Sequence, residues 1–123
     1  MIVEDEWLLR DSMAEELQEA GWRVLEASTA EAALTLLQDG HPIDIVVTDI
    51  QLAGQLTGWD VAEGFRAVHP DMPILYVSGN PIDALRRVSA SIFLSKPHRS
   101  AAISDACRQL TQREIVEKLQ PKL

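Results

Sequence analysis

Short apolar runs alternate with longer amphipathic segments along the whole chain, and this alternation most restricts how the chain can fold. The apolar runs read MIV, WRVLEAS, IDIVVTD, MPILYVSG and SIFLSKP. A segment with helical spacing follows each run, from WLLRDSMAEELQEAG to SAAISDACRQLTQREIVEKL. Parallel neighbours need long crossover connections, and those are right-handed. The order therefore predicts an α/β, doubly wound fold, in which helices cover both faces of a five-stranded parallel sheet.

Glycine, proline and capping residues mark the predicted helix ends. The first helix ends at Gly21 and the third at Pro70. The second opens with Ser28 and Glu31, which have the spacing of a capping box. A weaker and shorter fourth helix is predicted in PIDALRRVSA.

Length, charge and cysteine content limit the class of protein. The 123 residues predict one domain, 1–123, without an output domain. The net charge of −8 argues against a general nucleic-acid binder. No basic leader precedes an apolar stretch and no run reaches about 18 apolar residues, so we expect no export and no membrane span. The single cysteine, Cys107, is expected to fill space in the last helix and fits a reducing cytoplasm.

Polar side chains follow four of the predicted strands directly. In chain order these residues are Glu4, Asp5, Glu6, Asp49, Ser78 and Lys96. Each has an ordinary explanation by itself, such as helix capping for the acids or a turn for Asp49. However, the carboxyl ends of parallel strands meet at one edge of the sheet, where ligands bind in such folds. The combination therefore predicts a functional site at that edge.

This set of side chains suits phosphoryl transfer. Clustered carboxylates repel one another unless a cation is present, and Mg²⁺ prefers oxygen ligands. Asp5 and Asp49 suit direct coordination, and Glu4 suits a water-mediated role. The Lys96 ammonium and the Ser78 hydroxyl can bind phosphoryl oxygens. Asp49 is the candidate nucleophile.

With these motifs the chain resembles a response-regulator receiver domain of two-component signalling, over nearly its whole length. The resemblance rests on IVEDE, DIVVTDIQLAG, ILYVSG and FLSKP, in the family's order. It implies a (βα)5 flavodoxin-like fold with strand order 2-1-3-4-5. It also implies that a histidine kinase or histidine phosphotransfer protein donates a phosphoryl group to one aspartate, with Mg²⁺ required and Mn²⁺ as a substitute.

The resemblance assigns roles by position. Asp49 would be the phosphoacceptor and Lys96 the conserved-type lysine, joined to Pro97 by a cis bond. The metal ligands would be the acidic pair Glu4 and Asp5, Asp49, and the backbone carbonyl of Gln51. Ser78 would be the switch hydroxyl and Phe93 the switch aromatic. Gln51 and Asn80 occupy positions that tune dephosphorylation in the family. The chain would be no enzyme beyond self-phosphorylation and autodephosphorylation. It would signal to an unknown downstream protein through the fourth helix, fifth strand and fifth helix, with phosphorylation-dependent dimerisation and no direct DNA or membrane binding.

Three features depart from the common receiver pattern. Glu4 replaces the more usual aspartate, and Phe93 lacks the hydroxyl of a tyrosine. The loop IQLAGQLTGWD lacks the usual Met-Pro pair and is longer before its glycine, which resembles a subset of stand-alone and hybrid-kinase receivers.

Other interpretations of the sequence remain open. The chain could be a receiver excised from a hybrid histidine kinase or a longer regulator. A haloacid-dehalogenase-type phosphatase also uses a strand-end aspartate, but it needs an acid two residues later, where this chain has Gln51. A degenerate receiver acting only as a scaffold is disfavoured because Asp5, Asp49, Ser78 and Lys96 are all present.

Overall fold

The computed structural model describes the backbone of residues 1–79, 84–96 and 101–119, and the side chains of all of these except 84 and 113–119. The strands are β1 (Ile2–Val3), β2 (Glu26–Ala27), β3 (Val46–Thr48), β4 (Ile74–Ser78) and β5 (Ile92–Ser95). The helices are α1 (Trp7–Glu19), α2 (Ala30–Gln38), α3 (Gly58–Val68) and α4 (Ala102–Leu119), and a 3₁₀ turn spans Ala84–Arg86. Within this part of the chain, no helix is both long enough and apolar enough to cross a bilayer.

The five strands form one parallel sheet in the order β2-β1-β3-β4-β5, which confirms the predicted fold class. β1 and β3 are neighbours although a strand and two helices separate them in the sequence. Val3 pairs with Thr48, so the residues after β1 emerge beside the residues after β3. The strand order therefore brings the acids that follow the first predicted strand next to Asp49, which follows the third.

Successive residues of the central strands face opposite layers, as the alternation of side chains in a strand requires. Ile2 and Leu75 lie in a buried cluster with residues of α1 and α4. Val3 and Tyr76 lie in a second cluster with residues of α2 and α3. Both faces of the sheet are thus covered by helices, as predicted.

Cys107 is fully buried on α4, in the same cluster as Ile103, Ala106 and Leu110. Burial raises the pKa of its thiol to about 12, because the charged thiolate loses its hydration. The prediction that Cys107 acts as an apolar filler is confirmed.

The strand predicted in WRVLEAS is much shorter in the structure. Only Glu26 and Ala27 pair, because β2 lies at the sheet edge and its neighbour β1 has only Ile2 and Val3 to offer. The remaining apolar residues, Trp22, Val24 and Leu25, still pack against the core from irregular backbone.

The predicted capping box at Ser28 is wrong. The N-cap of α2 is Thr29, whose hydroxyl accepts a hydrogen bond from the amide of Ala32 at 3.0 Å. Glu31 instead turns to the loop after β3 and accepts from the amide of Leu56 at 3.3 Å. The Glu31 carboxylate thus makes a tertiary hydrogen bond and not the capping bond that the local sequence pattern predicts.

The fourth predicted helix, PIDALRRVSA, is mostly not helical where it is described. Residues 80–83 lie outside the described part, Ala84–Arg86 form the 3₁₀ turn, and residues 87–90 are irregular. The amide of Val88 donates to the hydroxyl of Tyr76 at 3.2 Å, which is a partner across the fold and not a helical carbonyl. Among the described residues, the part of the predicted signalling face that was expected to be the fourth helix is this 3₁₀ turn. The helix α4 corresponds to the predicted fifth helix.

Candidate functional site

Two buried carboxylates emerge side by side from the centre of the sheet. The amide of Glu4 donates to Ala27 at 3.0 Å, and the amide of Asp49 donates to Val3 at 3.0 Å, so sheet-type hydrogen bonds continue past both strands. Glu4 is only 1% exposed and Asp49 only 8% exposed. These backbone hydrogen bonds fix the positions of the Glu4 and Asp49 Cα atoms relative to each other.

Lys96 joins these two carboxylates. Its Nζ lies 2.8 Å from Oε1 of Glu4 and 2.8 Å from Oδ2 of Asp49. Its backbone amide donates to the carbonyl of Ser78 at 2.9 Å, which ties it to the end of β4. The predicted meeting of these strand ends is present in the structure.

The charges within the site perturb one another. The pKa of Glu4 is raised to about 7, chiefly because burial disfavours its charged form; the hydrogen bond from Lys96 opposes this rise and the nearby Asp49 adds to it. For Lys96, burial acts to lower the pKa, but hydrogen bonds to Asp49 and Glu4 outweigh it and the pKa is raised. Lys96 is therefore a cation at neutral pH and contacts two buried acidic side chains.

The acidic cluster has the donor set and spacing for a metal ion. Glu4, Asp5 and Asp49 each present an oxygen, and these oxygens lie within 4.8 Å of one another. Asp5 is exposed, so the cluster opens to solvent on that side. Three carboxylate oxygens in such a cluster fit a hard divalent cation such as Mg²⁺.

The second oxygen of Asp49 is held by the backbone that follows it. Oδ1 accepts from the amides of Ile50 at 2.6 Å and Gln51 at 3.3 Å, which is the turn geometry expected of an ordinary loop aspartate. Asp49 is therefore both a turn residue and a member of the acidic cluster. Gln51 itself is exposed beside it.

The two predicted switch residues occupy neighbouring strands. Ser78 is the last residue of β4 and is 2% exposed. Phe93 pairs with Tyr76 in the β4–β5 register and is half-buried against the core on the α2 and α3 side. Asn80 and Pro97, including the expected cis bond, lie outside the described residues.

Two residues next to the site were missed by sequence reasoning. Gly58, at the start of α3, packs so closely on Asp49 that an added Cβ would lie 1.9 Å from the Asp49 carbonyl oxygen. Arg10, in the first turns of α1, donates from Nη1 to the Glu4 carbonyl at 2.8 Å. In the sequence, the signals that could have identified them were the glycine at the start of a predicted helix, for Gly58, and the basic residue shortly after Glu4, Asp5 and Glu6, for Arg10.

Comparisons with known proteins agree with this geometry. Residues 1–108 match the family model of the response regulator receiver domain. A response regulator receiver protein from Sinorhizobium medicae is 37% identical, with a TM-score of 0.87 over 90% of this chain and 91% of that one. The receiver domain of the hybrid histidine kinase CckA is 26% identical, with a TM-score of 0.75 over 89% of this chain and 94% of that one.

Curated relatives are longer than this chain. A probable transcriptional regulatory protein of Picosynechococcus is 30% identical over 99% of this chain, which spans 52% of that protein. Sensor kinase CckA of Brucella abortus is 29% identical over 93% of this chain, which spans 12% of it. The chain thus spans about half or less of the length of these two relatives. The family match and the site geometry together show that the chain belongs to the response regulator receiver domain family.

Proposed function

We propose that this chain is a phosphoacceptor module of a two-component phosphorelay, with Asp49 as the residue that is modified. The supporting observation is the pairing of Asp49 with Lys96 at 2.8 Å inside an acidic cluster that also contains Glu4 and Asp5. A phosphohistidine of a histidine kinase or histidine phosphotransfer protein would be the donor. We propose that residues 1–123 act as one receiver unit, either alone or as part of a hybrid kinase or longer regulator.

The transfer step follows from the contacts of Asp49. A carboxylate oxygen of Asp49 attacks the phosphorus of the phosphohistidine, the P–N bond breaks, and its electron pair returns to the imidazole nitrogen. Lys96 has three N–H donors, so it can keep its bond to Glu4 while it turns one donor from Asp49 to a phosphoryl oxygen. The hydroxyl of Ser78, at the end of the adjacent strand, is proposed to bind another phosphoryl oxygen.

Glu4, Asp5 and Asp49 are the proposed holders of Mg²⁺, together with the backbone carbonyl of Gln51, and Mn²⁺ is the proposed substitute. When bound, the ion supplies positive charge that neutralises the phosphoryl oxygens and orients them for in-line transfer. Asp5 is the exposed member, so it stands where an ion would enter from solvent.

Output is proposed to proceed by protein contact. Binding of Ser78 to the phosphoryl group would leave space into which Phe93 rotates, and this changes the surface near β5 and α4. Leu85, in the 3₁₀ turn of the same β4–β5 connection, is 97% exposed and offers an apolar contact there. A downstream protein or a second copy of the chain would read this surface, and neither DNA nor a membrane is the proposed target.

Intact mass measurement tests the proposal. Wild type and Asp49→Asn are incubated with acetyl phosphate and MgCl₂, and we expect the wild type alone to gain one phosphoryl group that is labile to base. Omission of MgCl₂ should prevent the gain.

Two other results would contradict the proposal. An unmodified wild type would favour a scaffold that only binds partners. Continuous hydrolysis of unrelated phosphoesters would favour the phosphatase alternative.

A further inference from the structure

Arg10 holds the backbone at the point where the acidic segment leaves β1. Its Nη1 donates to the Glu4 carbonyl at 2.8 Å, and its Nε lies 3.3 Å from Oε1 of Glu26 on β2. The Arg10 side chain is 21% exposed, so most of it is covered by the protein. The guanidinium therefore bridges the end of β1 to the neighbouring edge strand from the first turns of α1.

The Glu4 carbonyl belongs to the peptide plane that links Glu4 to Asp5. Peptide groups are planar, so the direction of that carbonyl also fixes the direction in which the chain enters Asp5. The amide of Glu4 is already bound to Ala27, and its carboxylate is bound to Lys96. Arg10 adds a restraint on the backbone of Glu4, at the peptide group that leads into Asp5.

Asp5 needs such a restraint more than the other acids. Glu4 and Asp49 are buried and both are bonded to Lys96, whereas Asp5 is exposed in the short segment between β1 and α1. Groups that orient metal ligands from outside the ligand set usually change metal affinity when they are removed.

We propose that Arg10 is a positioning residue for divalent-cation binding, acting through the Glu4 carbonyl to hold Asp5 in the acidic cluster. This inference rests on the proposed function. It assigns Arg10 no contact with the ion or with the phosphoryl group.

The sign of the effect separates positioning from simple electrostatics. Removing a positive charge close to an acidic site would, by Coulomb's law alone, make that site bind cations more tightly. Loss of positioning predicts the opposite, namely weaker binding.

The test is a titration of wild type, Arg10→Met and Arg10→Lys with MgCl₂ at constant ionic strength, followed by backbone amide resonances. We expect the Mg²⁺ dissociation constant of Arg10→Met to rise roughly tenfold. Arg10→Lys keeps the charge but loses the planar guanidinium that reaches both Glu4 and Glu26, and its dissociation constant should lie between those of Arg10→Met and wild type. Arg10→Gln replaces Arg10→Met if the latter does not fold.

Phosphorylation by acetyl phosphate supplies a second readout. In Arg10→Met the half-saturating MgCl₂ concentration should rise in proportion, while the rate at saturating MgCl₂ stays close to that of wild type. Arg108→Met, the same change at an arginine that is 60% exposed on α4, serves as the control and should match wild type in both measurements.

The failures are distinguishable. If wild type binds Mg²⁺ and accepts phosphate while Arg10→Met keeps an equal or lower dissociation constant, the role of Arg10 is overturned and the proposed function stands. If wild type shows neither saturable Mg²⁺ binding nor phosphorylation, both proposals are overturned.

Discussion

At the scale of single residues, the backbone of Asp49 is confined by its neighbours. Its carbonyl accepts the Thr48 hydroxyl at 2.7 Å, and the amide of Gly58 donates to Ile50 at 2.8 Å. A Cβ on Gly58 would lie 1.9 Å from the Asp49 oxygen and 2.8 Å from the Ile50 Cα, and both of these are backbone atoms. Position 58 therefore has no room for a side chain unless the backbone of Asp49 and Ile50 moves.

Gly58→Ala is predicted to displace Asp49 and destabilise the protein. Overpacking of this kind lowers the free energy of unfolding by about 1–3 kcal/mol, which urea titration measures. Phosphorylation by acetyl phosphate should fall as well, because the carboxylate shifts relative to Lys96.

Gly64→Ala is the matched control for this prediction. There the added Cβ would meet Cδ2 of Leu34 at 2.6 Å, which is the movable end of a side chain. Alanine is also about 1 kcal/mol better than glycine within a helix, so the two effects oppose each other. Equal losses in both variants would contradict the argument from the Asp49 backbone.

At the scale of elements, α4 begins on a carboxylate supplied by α1. Glu16 accepts from the amide of Ala101 at 3.2 Å and from the amide of Ser104 at 2.8 Å. These amides lie at the positive end of α4, where an acid is favourable and where a cap usually comes from the helix's own flanking residue. One helix thus caps another, which fixes how α1 and α4 meet on their face of the sheet.

Glu16→Ala is predicted to lower the free energy of unfolding by about 1 kcal/mol, as loss of a cap does. Amide hydrogen exchange should quicken most at residues 101–104. Glu15→Ala changes the exposed neighbour on α1 and should have little effect on either measurement. Similar exchange rates in the two variants would refute the capping role.

The start of α3 carries a pH-dependent contribution to stability. Asp60 accepts from the amide of Thr57 at 2.7 Å and from Arg86 at 3.0 Å. The Thr57 amide first, and then Arg86, hold the pKa of Asp60 below its ordinary value of 3.8. A lowered pKa in the folded state means that the stabilisation is present above the unfolded pKa and is lost as pH falls through the lowered pKa.

Asp60→Asn is predicted to lower the free energy of unfolding by about 1 kcal/mol at neutral pH. The difference from wild type should shrink once pH falls below 3.8, which urea titrations at several pH values would show. Asp71→Asn, at an exposed position outside the helices, controls for the loss of one negative charge. A difference that is constant down to the lowest pH would exclude the carboxylate as its source.

At the scale of the whole molecule, a metal ion bound by the acidic cluster would link binding to folding. The oxygens of Glu4, Asp5 and Asp49 come together only because β1 and β3 are adjacent in the folded sheet. An ion held by this cluster binds the folded state and not the unfolded chain, and so it stabilises the fold by mass action.

MgCl₂ is therefore predicted to raise the free energy of unfolding, by about 2.7 kcal/mol at a concentration one hundred times the dissociation constant. Urea titrations with and without MgCl₂ measure the change, and NaCl at equal ionic strength accounts for screening. Asp5→Asn should reduce the gain. A gain that NaCl reproduces in full would mean that the cluster binds no specific cation.

The sequence by itself determined the elements and the chemistry available at their ends. Alternating apolar runs and helical spacing are local patterns, so they indicated the α/β class, the strand-end positions of Asp49 and Lys96, and the burial of Cys107. The strand order came from the family resemblance, because periodicity does not state which strands are neighbours. The meeting of Glu4, Asp5, Asp49 and Lys96 at one edge of the sheet was therefore predictable, while the 2.8 Å contacts of Lys96 with Glu4 and Asp49 were not.

Only the tertiary structure decided which partner each polar side chain takes. Glu31 bonds to the loop at Leu56 and not to its own helix cap, and Glu16 caps α4, a helix that begins far along the sequence. Arg10 likewise takes a partner outside its own helix, the carbonyl of Glu4 at the end of β1. A side chain has similar local propensities whichever partner it finally meets, and the choice depends on which backbone groups the packed sheet and helices leave within reach.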